Sequence, residues 1–184
     1  ESVRAKGAVA ELKKKIPKNF RGTSGIAHLR WATHGAPTEE NAHPHMDCRG
    51  EIFIAHNGII ENFRELKDQL IKSGHSFTSE TDTEVLVHLT EEHLVKTKDF
   101  KKALLAALRL VRGTYGIVAQ YAKDPSRIIA ARMGSPVVLG VGTRERFIAS
   151  DPSPIIAHTK KVIFLEDGEA AVITPTSHSI FKLD

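Results

Sequence analysis

Apolar residues at helical spacing open the chain: Val9, Leu12 and Ile16 predict an amphipathic helix over residues 4–16, which Pro17 and Arg21-Gly22-Thr23 break. SGIAHLRWA (24–32) alternates enough to predict a strand running into a loop dense with polar side chains. EIFIAH (51–56) is a short apolar run, predicted to be a buried strand. It ends at Asn57-Gly58, which reads as a turn because both residues tolerate positive φ. Three helices follow: NFRELKDQLIKSG, stopped by Gly74; TDTEVLVHLTEEHL, opened by Thr81 or Asp82 as cap with Glu84 close behind; and DFKKALLAALRLV, ended by Gly113. From Thr114 the pattern changes to short β-rich runs (TYGIVAQYA, RIIAARMG, PVVLGVG, RFIAS, KVIFLEDG and EAAVITP) and closes on the strand-like SIFKLD. Their spacing of about 8–12 residues is that of antiparallel sheet. Helices in the middle with strands on both sides predict an α+β architecture of sheets covered by helical layers.

The 184 residues suffice for one domain with a substantial core, and 41% hydrophobic with 26% charged content is ordinary for a soluble globular protein. The formal net charge of +4 is scattered, and its clearest run, Lys13-Lys14-Lys15, reads as a solvated helix face. Aromatics are only 6%, which argues against a nucleic-acid-binding stripe. No apolar run has the length of a membrane span and no signal peptide is recognisable. One cysteine cannot form an internal disulfide, so a cytoplasmic location is expected. The chain starts at Glu1 and enters a helical pattern at once, which predicts a segment of something longer.

Candidate chemistry concentrates in IAHLRWATHGAPTEENAHPH (26–45), which holds four of the 10 histidines. His34, His43 and His45 invite a metal, but they lack the spacings of HExxH or paired CxxC sites, so hydrogen bonding is the favoured reading. Cys48, between Asp47 and Arg49 in a polar connection, reads as an incidental free thiol rather than a nucleophile. A third option is recognition of an amino-acid-like ligand. Arg30 can grip a carboxylate with two parallel hydrogen bonds, Asp82 can take an ammonium, and Asn57 with Gly58 can offer an amide and a backbone N–H to a developing oxyanion. Each has an ordinary structural explanation, respectively a surface ion pair, a helix cap and a hairpin turn. Together they would make a clamp and an oxyanion hole.

HLRWATHG, NAHPH, HNGIIEN and SETDTE, in this order and spacing, resemble the glutaminase domain of the glutamine–fructose-6-phosphate aminotransferase family. These are class II glutamine amidotransferases of the N-terminal-nucleophile (Ntn) hydrolase type. The similarity runs from about Gly25 to the end, through RGTYGIVAQ, ARMGSPVVLG, FIASD and IFLEDGE. It implies an α+β, four-layer αββα sandwich with antiparallel sheets, incomplete at its N-terminus. It also implies a single glutaminase domain over 1–184, without its N-terminal part and without the sugar-isomerase domains that follow. Carried over, Arg30 binds the α-carboxylate of glutamine with Thr33 and His34, Asp82 holds the α-amine, and Asn57 with Gly58 forms the oxyanion hole. Arg30–Thr38 matches a mobile loop in which Trp31 is linked to the ammonia path, and His43 belongs to the signature. The implied partners are glutamine and, through the absent synthase domain, fructose 6-phosphate. A homo-oligomeric cytoplasmic parent is implied, with no metal, cofactor, nucleic acid or membrane. The family's nucleophile is a cysteine at the mature N-terminus, whereas residue one here is Glu1, so the chain by itself is expected to be inactive. The alternative is a non-catalytic glutamine-binding or regulatory module that has lost its nucleophile.

Overall fold

The computed structural model describes residues 1–30 and 35–183. In chain order the elements are α1 (Val9–Lys15), β1 (His45–Met46), β2 (Ile52–Ile60), α2 (Phe63–Lys72), α3 (Thr83–Thr97), α4 (Phe100–Leu108), β3 (Gly113–Tyr121), β4 (Asp124–Met133), β5 (Val138–Val141), β6 (Arg146–Ala149), α5 (Ser153–Ile156), β7 (Val162–Phe164), β8 (Glu169–Ile173) and β9 (His178–Lys182). One antiparallel sheet runs β1-β2-β3-β4-β8-β9 and a smaller one runs β6-β5-β7.

Alternation along the central strands divides the core. Tyr115, Ile117 and Ala119 of β3, with Ile129 and Ala131 of β4, turn toward Leu86, Leu89, Leu104 and Ala107 of α3 and α4. Small residues on the opposite face, Ala130 and Ala171, meet Ile148 of the smaller sheet and Val137 and Leu165 at the ends of its strands. Against that sheet packs the short α5, whose Ile155 fills the space a side chain at Gly140 would take. The layers are therefore helix, sheet, sheet and a thin helical cover, an α+β sandwich of antiparallel sheets as the sequence predicts.

α3 is buried along its first nine residues, from Thr83 to Glu91. A helix enclosed on all sides must satisfy its polar groups internally. Thr90 Oγ1 donates to Leu86 O (2.7 Å), and Glu84 accepts from Thr78 N–H (2.8 Å) and Ser79 N–H (2.7 Å). The β1–β2 connection is tied by Asp47, whose Oδ1 accepts from Glu51 N–H (2.7 Å) and Ile52 N–H (2.8 Å).

Three expectations change. Asn57-Gly58 is not a turn: β2 continues through it to Ile60, pairing Asn57 with Gly116 and Gly58 with Tyr115. Residues 24–30 form no ladder and remain irregular. The first helix is shorter than residues 4–16, and Arg4 lies outside it, donating from Nη2 to Pro44 O (2.5 Å).

Candidate active site

A cavity of about 200 Å³ opens where the second half of β2 meets the start of α3, with His28–Arg30 across it. The structure brings Arg30, His43, Asn57, Gly58 and Asp82 to this one cavity. Trp31, Thr33 and His34 lie outside the described residues.

β2 presents Asn57 and Gly58 at the wall. Gly58 has φ +132°, and a Cβ there would stand 2.2 Å from Thr114 O, so only glycine lets β2 and β3 approach this closely. His28 Nε2 lies 2.7 Å from Asn57 Oδ1. Because that oxygen can only accept, His28 donates and the Asn57 NH₂ is turned the other way. Burial lowers the His28 pKa, the bond to Asn57 opposes this, and Arg30 adds to the lowering.

Asp82 occupies the N-cap position of α3, yet its side chain makes no cap bond. It reaches across to β2 instead, where Oδ2 accepts from Ile60 N–H (2.7 Å), and this fixes the carboxylate at the cavity wall. The expected cap is thus a cross-element tie, because the N–H of an adjoining strand competes for the carboxylate. Next to it, His56 Nε2 donates to Thr114 O (3.2 Å), which leaves Nδ1 to accept from the Thr83 hydroxyl (2.9 Å). Burial lowers the His56 pKa, with Asp82 pulling the other way.

His43 is neutral: burial pushes its pKa far down, and neighbouring His28, His45, His56 and Arg30 push in the same direction. Its Nδ1 accepts from His56 N–H (3.1 Å), and its ring stacks on His28 with centroids 4.3 Å apart. The Arg30 guanidinium donates from Nη1 to Ala36 O and from Nη2 to Gly35 O, both at 3.1 Å, and so bridges the two ends of segment 31–34. Asn41 secures the far end, donating from Nδ2 to Ala36 O (2.9 Å) and accepting at Oδ1 from Glu80 N–H (2.9 Å).

A model of the glutamine amidotransferase domain matches residues 28–157. The chain belongs to the glutamine amidotransferase domain family. It is 54% identical over 152 residues to a glutamine–fructose-6-phosphate aminotransferase [isomerizing] of Methanothermobacter thermautotrophicus, covering 83% of the chain and 26% of that relative. To the like-named protein of Chlorobaculum tepidum it is 46% identical over 190 residues, covering 99% of the chain and 31% of the relative. The chain thus spans less than a third of the length of these curated relatives. Its fold matches a solved glutamine phosphoribosylpyrophosphate amidotransferase of B. subtilis with TM-score 0.71 at 25% identity, covering 85% of the chain and 34% of that one.

Within this amidotransferase domain the sequence reading passed over His28, His56, Thr83 and Asn41. Their only signal was position: His28 stands two residues before Arg30, and His56 directly precedes Asn57. Cys48 is a free thiol, as the sequence predicts. It lies away from the cavity against His75, His88 and Glu91. Burial pushes its thiol pKa up, partly opposed by a backbone contact at Ser76, so a nucleophilic thiolate is disfavoured there.

Proposed function

We propose that this domain hydrolyses glutamine to glutamate and ammonia. The observation that carries the reading is the single small cavity that gathers Arg30, Asp82 and the Asn57-Gly58 pair. Arg30, with Thr33 and His34, takes the α-carboxylate through its planar fork, and Asp82 takes the α-ammonium. Asn57, with its oxygen occupied by His28, offers Nδ2–H to the oxyanion that forms on thiol attack, beside the Gly58 N–H. Trp31 stands in the segment that closes the site, and His43 keeps β2 in place by accepting the His56 N–H. In this reading Cys48 does not supply the thiol, because it lies away from the cavity against His75 and His88. In the complete protein the ammonia passes to fructose 6-phosphate held by further domains, giving glucosamine 6-phosphate in a homo-oligomeric cytoplasmic enzyme. The high identity to relatives named for that reaction supports this extension.

The test is kinetic, in the complete protein. A donor used only once the oxyanion exists should lower kcat and leave KM nearly unchanged. Asn57→Ala is expected to lower kcat by about 10²–10³. Asp82→Asn, which can still accept from Ile60 N–H but loses the charge, should mainly raise KM. Normal turnover by an Asn57→Ala protein that merely melts lower would refute the assignment. Absence of glutamine hydrolysis by the complete wild-type protein, with glutamine still bound, would favour the non-catalytic module.

A further inference from the structure

Away from the cavity, at the later turns of the buried stretch of α3, four side chains from three separate segments converge. Cys48 comes from the β1–β2 turn, His75 from the connection after α2, and His88 and Glu91 from one face of α3, three residues apart. Cys48 Sγ lies 3.7 Å from His75 Nδ1 and 3.5 Å from His88 Nδ1. Glu91 Oε2 lies 3.2 Å from His75 Nδ1 and 3.5 Å from His88 Nδ1. All four ligand atoms fall within 4.8 Å of one another. We propose that Cys48, His75, His88 and Glu91 form a structural zinc site that pins the β1–β2 turn and the α2–α3 connection to α3.

The distances carry the geometry. Zinc bonds of about 2.0 Å to nitrogen and oxygen and 2.3 Å to sulfur, in a tetrahedron, put neighbouring ligand atoms about 3.3–3.6 Å apart. Four of the six edges, at 3.2 to 3.7 Å, match such a figure, and the other two stay within 4.8 Å, so small side-chain rotations suffice to close the four atoms on one ion. Both imidazoles turn the same atom, Nδ1, inward. His88 is 1% exposed, and its outward Nε2 has no hydrogen-bond partner but faces Glu84 Oε1 at 3.7 Å. A carboxylate behind the remote nitrogen keeps the proton on that side and leaves the inward nitrogen as a lone-pair donor, the arrangement that orients metal-bound histidines. The remaining contacts fix Glu91: its Oε2 also accepts from Cys48 N–H (3.2 Å), and Oε1 pairs with the exposed Arg49 (3.6 Å).

Charge and donor type select the ion. One thiolate and one carboxylate neutralise a dication, with two neutral imidazoles completing the set. Sulfur and nitrogen donors suit zinc, whereas magnesium and calcium want oxygen. Binding forms one Zn–S, two Zn–N and one Zn–O bond and releases the Cys48 thiol proton to solvent. Four protein ligands leave no open position for chemistry, so the role is structural.

Tag-free complete protein, equilibrated with Zn²⁺ and freed of excess, is compared with Cys48→Ala and His75→Ala, both altered at side chains outside the tightest core. Wild type should hold about one zinc per chain more than either variant, with affinity lost by at least the roughly 10–100-fold that even outer-shell changes cost. Co²⁺ in wild type should give tetrahedral d–d bands and a sulfur charge-transfer band, both absent in Cys48→Ala. A chelator should lower the melting temperature of wild type and leave that of Cys48→Ala unmoved. Equal zinc content in all three proteins, no cobalt bands and chelator-insensitive melting would overturn the proposal and leave a hydrogen-bonded cluster.

Discussion

A Cβ on Gly58 would overlap the Thr114 carbonyl and come within 2.9 Å of His56 Nε2, a ring that is itself held between Thr83 and Thr114. Gly58→Ala is therefore expected to cost at least about 1–3 kcal/mol through backbone strain alone and to lower the melting temperature, before any effect on catalysis. A normal melt would mean that β2 and β3 can separate here without penalty. Arg30 poses a different problem, since its fork is engaged with Gly35 and Ala36 and is the group assigned to the substrate carboxylate. Arg30→Lys should keep the charge and still lose most glutamine use, because a point charge cannot serve two parallel acceptors. Arg30→Ala should weaken kcat/KM by about 1.5–3 kcal/mol. Lysine performing as well as arginine would remove the fork from the account.

Elements with strong periodicity were legible in the sequence. α2, α3 and α4 form within a few residues of their predicted bounds, and all six β-rich runs after Thr114 become antiparallel strands. Long-range competition was not legible. Asn57-Gly58 has the local chemistry of a turn, but β3 supplies a full ladder through it, and the glycine serves close approach instead. Asp82 looks like a cap until a strand N–H reaches it. The Cys48 cluster was invisible because its members come from a turn, a connection and a helix, with no paired-cysteine spacing to join them. The base of segment 31–34 belongs to the same class. Asn41 is 2% exposed, and its amide is shared between Ala36 and Glu80. Asn41→Ala should remove two part-buried hydrogen bonds, each worth about 0.5–1.5 kcal/mol, and so lower stability modestly. It should also raise KM for glutamine, because the Gly35–Ala36 strip that Arg30 grips would no longer be held. Stability loss with unchanged KM would separate this anchor from substrate binding.

Across the whole molecule, the buried histidines make the fold sensitive to mild acid. His45 is 1% exposed and 2.9 Å from the Thr81 hydroxyl, and burial pushes its pKa from 6.5 down to about 4. The fold therefore favours neutral His45, while the unfolded chain binds a proton near pH 6.5. Its contribution is complete above that pH and is lost as pH falls toward 4, on the order of 3 kcal/mol in all. Glu84 adds a loss at lower pH. Burial pulls it upward, but the nearby His88 ring and hydrogen bonds from Ser79 and Thr78 outweigh this and hold it at about 2, so its share is lost progressively as pH falls from about 4.5 toward 2. Denaturant midpoints measured from pH 7 to 4 should fall, and the fall between 6.5 and 4.5 should be smaller in His45→Gln; an identical profile would exonerate His45. A different consequence follows from the order of the strands. β4 and β8 are neighbours in the large sheet, yet residues 134–168 between them build the whole of the smaller one. That sheet is an excursion whose ends are already fastened together, joined to the large sheet by one small cluster around Ala130 and Ala171. Such an excursion is expected to open and reclose as a unit while β2–β3–β4 stay paired, so its amides should exchange with deuterium well before those of the central strands.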